Sequence, residues 1–107
     1  METNDAVARL SALAQESRMD VFRLLVRHAP DGLTPGEMTA RLNLPAPTLS
    51  FHLAQLSQAG LLTVRKEGRS RRYAPDFAAV RGLVDFLMKD CCAGACTALA
   101  LEKECTR

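Results

Sequence analysis

The chain has 107 residues, 48% of them hydrophobic and 24% charged, with a formal net charge of +2. This is one domain's worth of ordinary globular composition, which excludes wholesale disorder but is small enough for a subunit contact to add materially to stability. No run of about 18 apolar residues is present to span a bilayer, and METNDAVARL lacks the basic and apolar regions of a signal peptide, so a cytoplasmic protein with no membrane partner is expected.

In chain order, Val7, Leu10 and Ala14 recur at helical spacing over residues 5–15, with Leu13 widening the stripe and Asp5 placed to cap the start. Ser17 followed by Asp20 resembles a capping box for a second helix. Its Val21, Phe22, Leu24, Leu25 and Val26 cover most of the circumference, which marks a core helix. Pro30, Asp31 and Gly32 break it. Thr34, Pro35 and Glu37 then supply an N-cap, a proline at the first helical position and a glutamate that reaches back, predicting a third helix over 35–42. Asn43, Leu44 and Pro45 form a turn, Pro47 is tolerated in a first helical turn, and Leu49, Leu53 and Leu56 form the buried stripe of a fourth helix that stops at Gly60. Two helices joined across so short a turn make a helix-turn-helix.

From Leu62 to Lys66 apolar and polar residues alternate, and Glu67-Gly68-Arg69-Ser70 is a hairpin turn with glycine where a positive φ is needed. Phe77, Val80, Val84, Leu87 and Cys91 follow at spacings of three and four. Such a narrow seam suits a partner helix rather than a broad core, and Gly94 is placed to end this last helix. The expected division is therefore 1–93 for a DNA-binding and dimerisation domain and 94–107 for a short tail. Four cysteines, Cys91, Cys92, Cys96 and Cys105, fall in the last seventeen residues. They cannot staple a fold to which the preceding residues contribute no thiol, so in a reducing compartment they read as a metal or redox site.

The hairpin carries Arg65, Lys66, Arg69, Arg71 and Arg72 against the single acid Glu67, so positive charge is concentrated there. A basic patch beside a polar helix face is the footprint of a duplex-DNA binder, because neutralised phosphates supply most sequence-independent affinity. With the leucine stripe inward, Thr48, Ser50, Phe51 and Gln55 are left to face the major groove: hydroxyls for phosphates or base edges, the amide for a base or phosphate, the ring for a thymine methyl. Arg69 and Arg71 flank the turn and best suit minor-groove or phosphate contact, and Arg65 and Arg72, along the strand faces, are counted with them as DNA-binding candidates. His52 reads as a packed helix residue. No nucleophile and base pair, phosphate loop or open catalytic metal site can be assembled, so an enzyme is not expected.

The segments SRMDVFRLLV, LTPGEMTARLNLPAPTLSFHLAQLSQAGLL and VRKEGRSRRYAP, in this order, resemble the ArsR/SmtB family of winged-helix metal- and metalloid-responsive repressors over roughly residues 5–92. The resemblance implies a mainly α fold with a small hairpin, a winged helix-turn-helix of order α1-α2-α3-α4-β1-β2-α5. It also implies a homodimer through the first and last helices (Val7, Leu10, Val80, Val84 and Leu87), an inverted-repeat operator, and repression relieved by an ion. LTPGEMTARL lacks the cysteine pair that many arsenic-responsive members carry there, and Phe77 to Lys89, with no histidine and only Asp85 as a carboxylate, lacks the paired aspartate and histidine ligands of zinc-responsive members. What remains is DCCAGAC, similar to the vicinal-cysteine site of a subset of arsenite-responsive members.

Thiolates are soft ligands, and Cys91, Cys92 and Cys96 fit trivalent arsenic or antimony, As(III) or Sb(III), as inducer; Cys105 is the alternative third ligand. Side chains of adjacent helical residues point about 100° apart, so a bend at Gly94 is needed to bring Cys96 to the pair. A four-thiol zinc site is possible, although the usual spacing is paired CxxC. The other readings are a frayed tail with idle thiols, a thiol-redox sensor, and a small thiol protein that binds or buffers metal ions.

Overall fold

The computed structural model describes residues 1–90, in which five helices and one hairpin follow in the expected order: α1 (Thr3–Leu13), α2 (Glu16–Arg27), α3 (Pro35–Leu42), α4 (Ala46–Gln58), β1 (Leu62–Glu67), β2 (Ser70–Pro75) and α5 (Phe77–Met88). The last seventeen residues, with all four cysteines and the expected 93/94 boundary, lie outside the described residues.

Helix α3 starts as its sequence dictates. Thr34 Oγ1 accepts from the Glu37 N–H at 3.3 Å, Glu37 Oε1 accepts from the Thr34 N–H at 2.9 Å, and Pro35 stands where a missing N–H costs nothing. The helix closes on Asn43 in the left-handed region (φ 56°), a conformation asparagine tolerates better than most residues. Helix α4 has Pro47 in its first turn and gives way to Gly60 at φ 80°.

Other ends differ from expectation. Helix α1 is capped from Glu2, and Asp5 sits inside the first turn, accepting from the Glu2 N–H at 3.1 Å. Helix α2 is capped by Gln15 rather than Ser17, with Gln15 Oε1 accepting from the Arg18 N–H at 2.9 Å. Because α1 runs to Leu13, only two residues are left to turn the chain, and Ser17 and Asp20 are already helical. Val26 is 39% exposed, so α2 is apolar on one face and not nearly all round. Helix α5 stops at Met88, where Lys89 turns extended and Asp90 takes φ 64°, short of Gly94.

The core is built where α2, α3 and α4 meet: Val21, Leu25, Met38, Leu49, Leu56 and Leu61 are fully enclosed, with Leu24, Leu33, Leu53 and Leu62 beside them. Each such side chain contributes about 1.5–3 kcal/mol relative to exposure. Antiparallel β1 and β2 pair from Leu62↔Pro75 to Glu67↔Ser70, leaving Gly68 (φ 58°) and Arg69 as a two-residue turn. The base of this wing is stitched to the segment before α3: Leu33 N–H donates to Tyr73 O at 2.9 Å and Tyr73 N–H to Leu33 O at 2.8 Å. Arg9 of α1 joins two distant segments, donating to Ala59 O at the end of α4 (3.3 Å) and to Ala79 O in the first turn of α5 (3.0 Å). Helix α5 buries Ala79 and Leu83 and is capped by Asp76, whose Oδ1 accepts from the Ala79 N–H at 3.2 Å.

The stitch requires glycine at position 32, where φ is 79° and a Cβ would collide with the Tyr73 carbonyl oxygen. Gly32→Ala is expected to cost about 2–4 kcal/mol, from left-handed strain plus a backbone clash. Gly68→Ala, which meets nothing within 4 Å, should cost only about 1 kcal/mol. Urea unfolding of the two variants checks this; equal losses would mean that the close approach to Tyr73 is not a constraint.

Candidate nucleic-acid interface

Burial of Leu49, Leu53 and Leu56 turns the opposite side of α4 to solvent. At 3.6 residues per turn, Thr48, Phe51 and Gln55 share one flank of that side and Ser50, Ala54 and Ser57 the other. Thr48 and Ser50 are exposed, and Phe51 is 56% exposed, a large apolar surface on an otherwise polar face. The structure separates two residues that sequence reasoning grouped. Ser50 turns toward the wing, whereas half-buried Gln55 lines a different groove with Ser11 and Arg18 of α1 and α2.

The strand register sorts the basic residues by face, since residues directly opposite share a side of the hairpin. Lys66 opposes Arg71, and Val64 opposes Tyr73, on the side turned to α4. There a cleft of about 290 Å³ is lined by Pro35, Ser50, Leu53, Ala54, Ser57, Val64, Arg71 and Tyr73. Arg65 opposes Arg72 on the back. Among the described residues Lys66, Arg69 and Arg71 form no ion pair, so the front and tip of the wing carry free positive charge.

The back is engaged internally. Arg65 Nη2 lies 3.1 Å from Glu67 Oε2. Arg72 donates through Nε to Glu67 Oε1 at 3.2 Å and through Nη1 to Gly32 O at 2.9 Å, with Glu37 Oε1 at 3.5 Å. The Arg72 and Arg65 hydrogen bonds hold the Glu67 carboxyl below the usual carboxylate range. The Thr34 backbone N–H, assisted by the Thr34 hydroxyl and the charges of Arg72 and Arg41, does the same for Glu37. Of the four arginines singled out in the sequence, then, Arg69 and Arg71 are free, Arg65 is paired and Arg72 is tied into the fold. Lys66 was missed as a site residue; its signal was the strand alternation that places it opposite Arg71.

His52 is only 6% exposed and packs inward from α4, as expected. Its ring meets Phe51 edge-on with centroids 6.0 Å apart, and its Nδ1 has no hydrogen-bond partner among the described residues. Burial, with the Arg18 charge assisting, pushes its pKa below the ordinary 6.5.

A helix with an exposed polar face, set in a helix-turn-helix and flanked by a free basic hairpin, defines a winged-helix DNA-binding protein. A helix-turn-helix domain family matches residues 13–65. The transcriptional activator HlyU of Vibrio cholerae is 34% identical over 94 residues, covering 86% of this chain and 84% of that protein. A solved structure of HlyU superposes with a TM-score of 0.66 over 87% of this chain and 100% of that one; another, of reduced HlyU, is 32% identical with a TM-score of 0.65 over 85% of this chain and 93% of that one. A putative arsenical resistance operon repressor, ArsR, of Halobacterium salinarum is 40% identical over 67 residues, 63% of this chain but 51% of that protein. An ArsR-like transcriptional regulator from Rhodococcus sp. RHA1 is 25% identical with a TM-score of 0.71, covering 78% of this chain and 76% of that one. The chain belongs to the ArsR/SmtB family of winged-helix transcriptional regulators.

The fold favours neutral His52, so as pH falls the unfolded chain takes up this proton first. Its contribution to stability is complete above about pH 6.5 and declines below it. Replacing His52 with Gln should flatten the fall in unfolding free energy between about pH 6.5 and 5. Chemical denaturation across that range checks it, and an unchanged slope would show that the imidazole titrates alike in both states.

Proposed function

We propose that the protein is a homodimeric repressor that binds an inverted-repeat operator when its thiols are free and releases it when As(III) or Sb(III) engages Cys91, Cys92 and Cys96. The observation that carries DNA reading is the juxtaposition of Ser50 on α4 with Arg71 on the front of the wing, at one cleft. The α4 face would enter the major groove while Lys66, Arg69 and Arg71 meet the flanking backbone and minor groove.

Dimerisation is supported by the outer face of α1 and α5. Val7, Leu10, Phe77 and Leu87 are 55%, 43%, 51% and 58% exposed, with Val80 and Val84 half-buried. Apolar surface of this kind on a small domain marks an interface, and a two-fold copy would present two α4 helices to two half-sites. The sensing assignment rests on the donor set. Three thiolates in a short segment following α5 match a soft trivalent centre, which exchanges three oxygens for three sulfurs. Release then requires the ligand to favour the low-affinity conformation, with a coupling of about 1–3 kcal/mol.

The likeness to HlyU, solved in a reduced form, favours a second reading for the same thiols. In it Cys91 or Cys92 forms a disulfide with Cys96 or Cys105, two thiols giving two electrons and two protons to a peroxide-class oxidant.

Fluorescence anisotropy with duplex DNA from upstream of the protein's own gene separates these readings. Arsenite under excess reductant should release the DNA; release by oxidant alone would replace the metalloid reading with the redox one. Cys91→Ser, Cys92→Ser and Cys96→Ser should each keep the parent's DNA affinity and lose the arsenite response, while Cys105→Ser responds like the parent. Normal release in all four variants would remove the cluster as the sensor. Leu87→Glu is expected to sediment as a monomer, because a charge buried in an apolar contact is left unpaired. A Leu87→Glu dimer would relocate the interface.

A further inference from the structure

We propose that Arg72 is a positioning residue that sets the wing against the head of α3, and that Glu67 serves DNA reading by holding Arg72 in that pose. The inference rests on the α4 and wing DNA-reading function and goes beyond it, because it takes Arg72 out of the phosphate-binding set and gives an acid on the wing a favourable role.

The geometry is specific to a guanidinium. With 23% of its side chain exposed, Arg72 reaches three acceptors from three chain segments: Gly32 O before α3 (2.9 Å), Glu37 Oε1 in the first turn of α3 (3.5 Å), and Glu67 Oε1 at the end of β1 (3.2 Å). Glu37 is itself fixed by the Thr34 N–H, so the fork ties the hairpin to the capping box that starts the helix-turn-helix. A lysine keeps the charge but has a single nitrogen and no planar fork, and cannot reproduce this pattern. The backbone stitch at Leu33 and Tyr73 holds only the base of the hairpin. Arg72 acts above it, where the angle between the wing tip and α4 is set.

Glu67 is the harder residue to explain without this role. An acid between Arg65 and Arg69 opposes the attraction of the wing to phosphate. Electrostatics alone would favour its loss. In the structure it lies between Arg65 and Arg72, directly opposed like charges that would otherwise repel across the hairpin. The lowered pKa of its carboxyl agrees with that engagement.

The two roles predict opposite signs. A duplex is first selected from a randomised library with the parent protein, and binding to it and to a scrambled duplex is measured across salt concentration. Arg72→Lys and Glu67→Gln should each weaken binding to the selected duplex by about fivefold while keeping the parent's salt slope. Scrambled DNA should be bound as well as before, or better by Glu67→Gln. Arg71→Ala serves as the comparator, expected to lower the slope by about 0.9 for a lost phosphate contact.

Parent-like binding by Arg72→Lys, or equal tightening by Glu67→Gln on both duplexes, would overturn the proposal. Unfolding midpoints recorded alongside should match the parent, and losses that only track the unfolded fraction would overturn it too. If the parent itself enriches no sequence, DNA reading by α4 and the wing fails, and the inference falls with it; that outcome is distinct from a parent that selects normally while the variants behave as a phosphate contact requires.

Discussion

The burial of one leucine stripe is the constraint on which the rest depends. Leu49, Leu53 and Leu56 enter the junction of α2, α3 and α4, and their enclosure fixes the rotation of α4 about its own axis. A change of a third of a turn would bury Ser50 or Thr48 and expose a leucine, at a cost of several kcal/mol in lost apolar burial and unpaired hydroxyls. The outward face is thus chosen by the inward one. Leu61 and Leu62 continue the same enclosure past Gly60, so the wing emerges beside α4 because its first residues are part of α4's core.

The wing follows the same logic with charge in place of burial. Five cations on so short a hairpin repel one another, and the period-two alternation of strands divides them between two faces. On the back, Arg65 and Arg72 are satisfied by Glu67, Glu37 and a backbone carbonyl. On the front, Lys66 and Arg71 have no acid partner among the described residues and share their side with the cleft beside α4. Ion pairs this exposed add little to stability, so their main effect is geometric.

Local signals in the chain were enough for much of this. Thr34-Pro35-Glu37 announced α3 because a capping box and an N1 proline are satisfied within four residues. The leucine spacing announced α4, and Gly68 in an alternating basic run announced the hairpin. Features depending on neighbours were harder to read. The cap of α2 fell to Gln15 because the end of α1 left no room for Ser17, which no window on α2 alone reveals. On α1 it is the small Ala6 and Ala12 that are buried while Val7 and Leu10 face outward, a division that spacing on α1 alone does not settle. Likewise, strand position sets Arg72 apart from Arg71 in the sequence, but only the approach of Gly32 and of Glu37 in α3 shows that its guanidinium is engaged.

Arg9 couples the two halves of the structure. The hairpin is already tied back over 40 residues, by Arg72 to the Gly32 carbonyl, and Arg9 closes longer loops of 50 and 70 residues to reach Ala59 and Ala79. Loop-closure entropy rises with separation, so these bonds are favourable only when the intervening core already holds their ends together. One α1 side chain thus couples the end of α4 to the first turn of α5, so the exposed apolar face of α1 and α5 is registered to the helix-turn-helix through a single guanidinium.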